Sequence, residues 1–224
     1  MPRLIDLLNV NKMTLVTALA QNDPELAQAA IEGGADALCL HINVRDFGDF
    51  KAEKEKLATV LEVCDLPLGV VTGVKKQAAR HEIDEMIRMG FDFFNINIEH
   101  APAYVPDLKR VTKVIALGSR FTIDVVLGVG KFGANAIDAA IVPSPEHGKE
   151  LKVGDLQNYI SIVMTAGIPV IVPTQRAVKT SEVAIIADTG AKGLMLTPVV
   201  TGKTVKGVKE TVQAFRVAVD DLGD

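Results

Sequence analysis

Along the chain, stretches of mixed polar and apolar helical character end in Gly and give way within a few residues to an apolar strand, the pattern of a helix C-cap followed by a buried strand. Gly34-Ala-Asp-Ala-Leu-Cys-Leu, Gly90-Phe-Asp-Phe-Phe-Asn-Ile and Gly190-Ala-Lys-Gly-Leu-Met-Leu align residue for residue, and a weaker fourth copy runs from Ala136 through Asp138 to Pro143. A second kind of strand, Leu66-Pro-Leu-Gly-Val-Val-Thr and Ile168-Pro-Val-Ile-Val-Pro-Thr, also occurs twice. Its two copies, like Gly90 and Gly190, stand about a hundred residues apart, the spacing of two half-barrels. Eight strands follow, near residues 14–20, 37–43, 67–72, 93–98, 121–127, 139–144, 169–174 and 193–197. Helical patterns over 24–32, 51–63, 76–89, 108–117, 155–166, 180–188 and 204–219 separate most of them. Alternation of this kind means a parallel sheet, and eight units in 224 residues mean one compact (β/α)8 TIM barrel over 1–224. Only residues 128–137, rich in Gly, separate the fifth and sixth strands, so the fifth helix is expected to be shortened or missing.

Composition changes this picture little. The chain is 48% hydrophobic and 23% charged, ordinary globular usage that supplies a sizeable core. Apolar runs such as 168–173 fall far short of the roughly 20 residues that a membrane span needs, and residues 1–11 carry charges where an export signal needs an apolar stretch. A cytoplasmic protein without membrane partners is expected, in which Cys39 and Cys64 are small core residues. A net charge of −4 with ten aromatic side chains and no Trp offers neither a basic field nor stacking platforms, which excludes nucleic acid as the expected partner.

In such a barrel the reacting groups stand at the C-terminal strand ends. If Leu38, Leu40 and Ile42 face the helices, the two-residue side-chain period turns Cys39, His41 and Asn43 inward, and the same parity turns Asn95, Asn97 and Glu99 inward. The repeat superposes His41, Asn97 and Thr197, a polar layer where a purely structural barrel would hold aliphatic side chains. Thr72 closes the third strand beside it. His41, His100 and His147 fall at or beyond the ends of even strands with Glu99 and Asp124, whereas His81 opens a helix and reads as solvated. Imidazole with carboxylate suits proton transfer or a divalent metal, but no histidine has a helix-spaced partner, so no cofactor is assigned. Asp124, amid the apolar run 121–127, is expected to have a raised pKa, the environment of a base.

Two glycine-rich segments bear on the ligand. Gly128, Gly130 and Gly133 match a dinucleotide fingerprint, yet no full helix follows, so a flexible loop carrying Lys131 over the site is expected instead. Thr201-Gly202-Lys203-Thr204 ends like a P-loop, but the leading Gly position is Thr197. The same segment meets the start of the last helix beside Arg176, so a phosphate there would touch Arg176, Thr201, Gly202, Lys203 and Thr204.

The layout resembles the ribulose-phosphate-binding barrels, compact TIM barrels that include ribulose-phosphate epimerases, hexulose-phosphate synthases and N-acetylmannosamine-6-phosphate epimerase. The motifs that carry the resemblance are Gly34-Ala-Asp, Leu66-Pro-Leu-Gly-Val-Val, Ile168-Pro-Val-Ile-Val and Gly190-Ala-Lys-Gly-Leu-Met-Leu. It implies a small phosphorylated molecule bound between the last two loops. The epimerase pattern has Lys near Thr72, Glu near Pro173 or Thr174, and Gly-Ser where this chain has Thr197-Pro198-Val199, so the resemblance does not carry an activity over. The leading expectation is an isomerase, epimerase or lyase that abstracts a proton beside the carbonyl of a small phosphorylated compound. Asp124 or Glu99 would be the base and His41 the acid or enolate donor, with Asn43, Thr72, Asn95, Asn97 and Thr197 around the substrate. The alternatives are a phospho-ligand-binding barrel without turnover, and a metal-dependent aldolase or hydrolase using His41, Glu99 and His100 or His147. A homodimer covering apolar wall around Val125, Phe132 and Ile141 is also expected.

Overall fold

One helix-to-strand turn recurs four times and sets the even strands. In the computed structural model, which describes residues 3–223, Gly34, Gly90, Gly133 and Gly190 have φ of 92°, 113°, 90° and 87°, a left-handed backbone that a Cβ would penalise. Two residues on, the backbone N–H groups of Asp36, Asp92, Asn135 and Lys192 donate to Leu15, Leu68, Lys113 and Val170 carbonyls, each at 2.8 Å. The fourth copy therefore begins at Gly133, three residues before the expected alignment. Residues 1, 2 and 224 of the expected domain lie outside the described residues.

The elements in chain order are α1 (Leu4–Val10), β1 (Thr14–Ala18), α2 (Pro24–Glu32), β2 (Ala37–His41), α3 (Phe50–Val63), β3 (Leu68–Val71), α4 (Arg80–Met89), β4 (Phe93–Asn97) and β5 (Thr112–Ala116). Then come α5 (Ile123–Val129), β6 (Ala136–Asp138), α6 (Val153–Ala166), β7 (Val170–Pro173), α7 (Val183–Ala187), β8 (Gly193–Leu196), α8 (Pro198–Thr201) and α9 (Val205–Asp220). All eight strands are parallel, and β1 pairs with β8 as well as β2, which closes the sheet into a (β/α)8 barrel. The fifth helix is shortened, to the seven residues of α5.

Three expected elements are corrected. The expected helix over 108–117 is instead strand β5 at 112–116, residues 121–127 lie mostly in helix α5 rather than a strand, and β6 precedes the expected 139–144. Short apolar runs carry no decisive period. Pairing decides here: Thr112–Ala116 bonds to β4 and to β6, with Lys113 pointing out to donate to the Pro106 carbonyl (3.2 Å), while Thr122 caps α5 by accepting from Val125 N–H (3.4 Å). Between β4 and β5, where Pro102 and Pro106 stand, the connection is two 3-10 turns, Ile98–His100 and Val105–Asp107.

Side chains inside the barrel stack in layers from alternate strands. Ala37, Phe93 and Ala136, then Val16, Val114 and Ile171, fill the lower layers, and α1 inserts fully buried Leu4 and Leu8 beneath them. The sequence pattern had assigned no element to α1. Asp92 holds it there by accepting from Leu4 N–H (2.8 Å) and from Arg3 Nε (3.2 Å). Phe93 occupies the barrel centre because Gly69 opposite lacks a side chain, and a Cβ there would overlap the Phe93 ring. A second, larger core packs the outward strand faces, such as Leu38, Leu40, Phe94 and Ile115, against the helices.

Candidate active site at the barrel mouth

Above the apolar layers the even strands contribute Cys39, Asn95, Asp138 and Met195 at one repeat position, all buried. The next even layer, two residues further on, is His41, Asn97, Ala140 and Thr197, and between the two the odd strands contribute Ala18, Val71, Ala116 and Pro173. That intermediate layer lies between the buried Asp138 layer and the mouth.

Asp138, which the expected site omitted, is the buried carboxylate of this layer. Asn95 Nδ2 donates to its Oδ2 at 2.7 Å, while its buried Oδ1 has no partner. Burial raises its pKa from 3.8 to about 6, partly offset by the Asn95 hydrogen bond. Cys39, in the same layer, is pushed up by burial and by the Asp138 charge, so its thiol stays protonated. The signal that locates Asp138 is present in the sequence: Gly133-Ala-Asn-Ala-Ile-Asp aligns with Gly34-Ala-Asp-Ala-Leu-Cys once the fourth copy starts at its own Gly. The environment expected for Asp124 belongs to Asp138.

His41 stands at the end of β2, on the wall opposite β6. Its ring stacks on Phe47 with centroids 4.9 Å apart, and its buried Nδ1 has no partner. Burial lowers its pKa to about 4, so it is a neutral imidazole near pH 7. His41 thus lies in the upper layer of the bore and Asn95 in the buried layer below it. Asn43 takes a left-handed backbone (φ 56°), and its Nδ2 donates to the Thr72 carbonyl at 3.2 Å, joining the loops after β2 and β3. The buried Thr72 hydroxyl donates to Gln77 Oε1 at 2.7 Å. Asn97 caps a 3-10 turn by accepting from Glu99 N–H (2.9 Å), and the Thr197 hydroxyl donates to the Thr174 carbonyl (2.8 Å), clasping β8 to β7. These groups shape the mouth through commitments of their own.

Other expected site residues lie elsewhere. Glu99 is exposed and paired with Arg120 (3.2 Å). Asp124 is exposed in the first turn of α5, outside the sheet, because its segment is helical. The expected convergence of His41, Glu99 and Asp124 is therefore not observed, and no hydrogen bond joins any two of them among the described residues. Gly128–Gly133 lies at the far end of α5, where Gly130 packs by Ala166, so Lys131 does not cover the mouth. His100 is exposed, and the His147 ring is bonded to the Val142 carbonyl (3.0 Å). Among the described residues, no three His, Cys, Asp or Glu side chains come together to hold a metal ion.

Arg176 is buried, and its guanidinium is consumed. Nε and Nη2 donate to Asp155 (2.8 and 3.1 Å), and Nη1 donates to the Glu146 carboxylate (3.0 Å) and carbonyl (3.2 Å). Hydrogen bonds from Lys149, Arg176 and Lys152 hold Glu146 down at about 2. The guanidinium pins the loop after β7 to α6, and it is not a free phosphate ligand. The buried Thr201 hydroxyl turns inward to the Thr197 carbonyl (3.2 Å). Gly202, Lys203 and Thr204 are exposed at the head of α9, where Thr204 Oγ1 accepts from Gly207 N–H (3.1 Å). Two surface cavities, of about 530 and 390 Å³, open at the opposite end of the barrel, one beside Lys12 and Lys192, the other beside Arg3 and Asp92. No helix is long and apolar enough to cross a membrane among the described residues.

No protein-family model matches the chain, and no curated protein is similar to it in sequence. Solved structures are similar. Thiamine phosphate pyrophosphorylase from Pyrococcus furiosus superposes with a TM-score of 0.72 at 17% identity, over 96% of this chain and 98% of that one. KGPDC from Streptococcus mutans gives 0.73 at 12% identity, over 96% and 100%. N-acetylmannosamine-6-phosphate 2-epimerase from Clostridium perfringens gives 0.63 at 15% identity, over 88% and 90%. At these identities the likeness shows the fold alone: the chain is built, like them, as a compact closed (β/α)8 barrel.

Proposed function

We propose that the barrel mouth takes a small phosphorylated carbonyl compound and that Asp138 abstracts the proton beside the carbonyl, as in an isomerase, epimerase or lyase. The observation that carries this reading is the buried Asp138 carboxylate, with Oδ2 fixed by Asn95 and Oδ1 unpartnered at a C-terminal strand end. A general base works best with a pKa near the operating pH, and about 6 is close to it. In the step, the C–H electron pair moves into the carbonyl, the proton goes to Asp138 Oδ1, and the oxygen gains negative charge. Neutral His41, whose Nδ1 is also unpartnered, is the group on the facing wall that can donate a hydrogen bond to that oxygen. Return of the proton to the neighbouring carbon or to the other face completes an isomerisation or epimerisation.

Phosphate fits the head of α9. The first N–H groups of a helix have no intrahelical acceptor, and Lys203 stands exposed beside them. Two of the three structural neighbours are named for phosphate-bearing compounds, which favours the same class here.

The test is proton exchange in D2O, followed by NMR, on a panel of phosphorylated aldoses, ketoses and keto acids. Deuterium is expected beside the carbonyl of at least one compound, and Asp138→Asn is expected to slow it by roughly 10²–10⁴ while thermal-shift binding persists. Binding without exchange in the wild-type protein would reject the catalytic reading in favour of a binding barrel.

A further inference from the structure

The helices α3, α4 and α9 show solvent an ordinary charged face, with Lys51, Lys54 and Glu55 on α3 and Lys206, Lys209 and Glu210 on α9. α6 differs. Its inner stripe is the buried Asp155, Tyr159, Ile162 and Ala166. At 3.6 residues per turn the opposite stripe is Val153, Gln157, Ile160 and Met164, and Asp155 is the one charged residue of the helix. Met164 is 81% exposed and Val153 72%. A helix whose outer face carries no charge and exposes Val153, Ile160 and Met164 is one that something covers. Next to it, with Gly130 packed by Ala166, α5 buries Val126 and Val129 and turns Asp124, Leu127 and Gly128 outward, flanked by exposed Ile123 and, in the turn past its end, by exposed Lys131 and Phe132. Leu127 is 54% exposed, and a Cβ at Gly128 would meet open space.

We infer that the α5–α6 face is the contact between two copies of this chain, related by a two-fold axis passing beside Leu127 and Gly128. The charge pattern selects that occupant. Asp124 stands in the first turn of α5 and Lys131 in the turn just past its end, seven residues on, and both are exposed. Neither enters a salt bridge among the described residues. Two antiparallel copies of α5 set each Asp124 against the partner copy's lysine and each Lys131 against its aspartate, as an isologous contact requires. A partner recognised by strong charge would find little else here to read. The extent also suits a dimer: Ile123, Leu127, Phe132, Val153, Ile160 and Met164 are each 40% exposed or more on these two neighbouring helices and the turn after α5, and a standard interface takes about 800 Å² per partner. Gly128 lets the two backbones approach closely.

The measurement is solution mass by light scattering and sedimentation at micromolar protein. The wild-type protein is expected at twice the 23.9 kDa chain mass, and Leu127→Lys with Met164→Lys at the mass of one chain, with unchanged circular dichroism because both side chains are exposed. Asp124→Lys or Lys131→Asp alone should raise the dimer dissociation constant at least tenfold. The double swap Asp124→Lys with Lys131→Asp should restore it, a rescue that a general loss of apolar surface would not give. A monomeric wild-type protein, which would leave this face to another protein or to lipid, overturns the inference. So does a dimer that the lysine substitutions leave intact.

Discussion

The two ends of the barrel are built from the same repeat and finished in opposite ways. At the N-terminal end, α1 seals the bore with Leu4 and Leu8 under Phe93, and among the described residues the unpartnered inward group there is one hydroxyl, that of Thr14. At the C-terminal end the bore finishes in a carboxylate and an imidazole, each with a buried unpartnered atom. An unpaired hydroxyl costs about 1–3 kcal/mol and is absorbed by the packing around it. An unpaired carboxylate or imidazole changes its protonation instead, which moves Asp138 up to about 6 and His41 down to about 4. The lower end spends its interior on stability, whereas the upper end holds titratable groups in states they would not adopt in water, which is what the proposed proton abstraction would need.

The largest test of this contrast is at the lower end. Phe93→Ala removes the ring that fills the space beside Gly69, and it should cost about 3–5 kcal/mol in urea unfolding, read as a lower midpoint with unchanged slope. A cost below about 1 kcal/mol would mean that the bore can collapse around the loss.

Next in size is the pH dependence at the mouth, where the two groups act with opposite sign. Asp138 has a raised folded pKa, so its contribution is fully present below about 4 and is lost as pH rises through about 6, roughly 3 kcal/mol in all. His41 has a lowered folded pKa, so its contribution is present above about 6.5 and is lost as pH falls towards 4, again roughly 3 kcal/mol. Between pH 4 and 6 the two slopes nearly cancel in the wild-type protein. Asp138→Asn should therefore be more stable than wild type at pH 7 by up to about 3 kcal/mol, with the gain vanishing near pH 4. His41→Asn should lose its relative disadvantage as pH falls over the same window. Differences from wild type that stay constant between pH 4 and 7 would show that neither group is perturbed as the burial implies.

The smallest expected effects are the most discriminating about position. Glu99→Gln and Asp124→Asn sit on exposed turns, so each should change stability by less than about 0.5 kcal/mol and turnover by less than about twofold. A hundredfold loss in either would move the site from the bore to its rim.

Much of the fold was legible because it is written locally. The Gly-x-Asp turn, the two-residue parity of β2 and β4 and the polar layer of His41, Asn97 and Thr197 each follow from residues within one repeat unit, and backbone sterics and side-chain alternation act at that range. Where local pattern was ambiguous it misled: Thr112–Ala116 and Ile123–Val129 are short apolar runs without a full period, and which becomes strand was settled by the neighbours β4 and β6. The site was legible only as a place. Which carboxylate occupies it depends on Asn95 and Asp138, 43 residues apart, meeting at 2.7 Å inside a closed sheet. That Arg176 is an anchor and no phosphate ligand depends on Asp155 and Glu146 reaching it from another turn of the barrel. The sequence by itself determined the repeat, the barrel and the inward face of its strands, since these rest on the stereochemistry of adjacent residues. The tertiary structure alone decided protonation and pairing, because burial and charge are properties of whatever the closed barrel brings within a few ångströms.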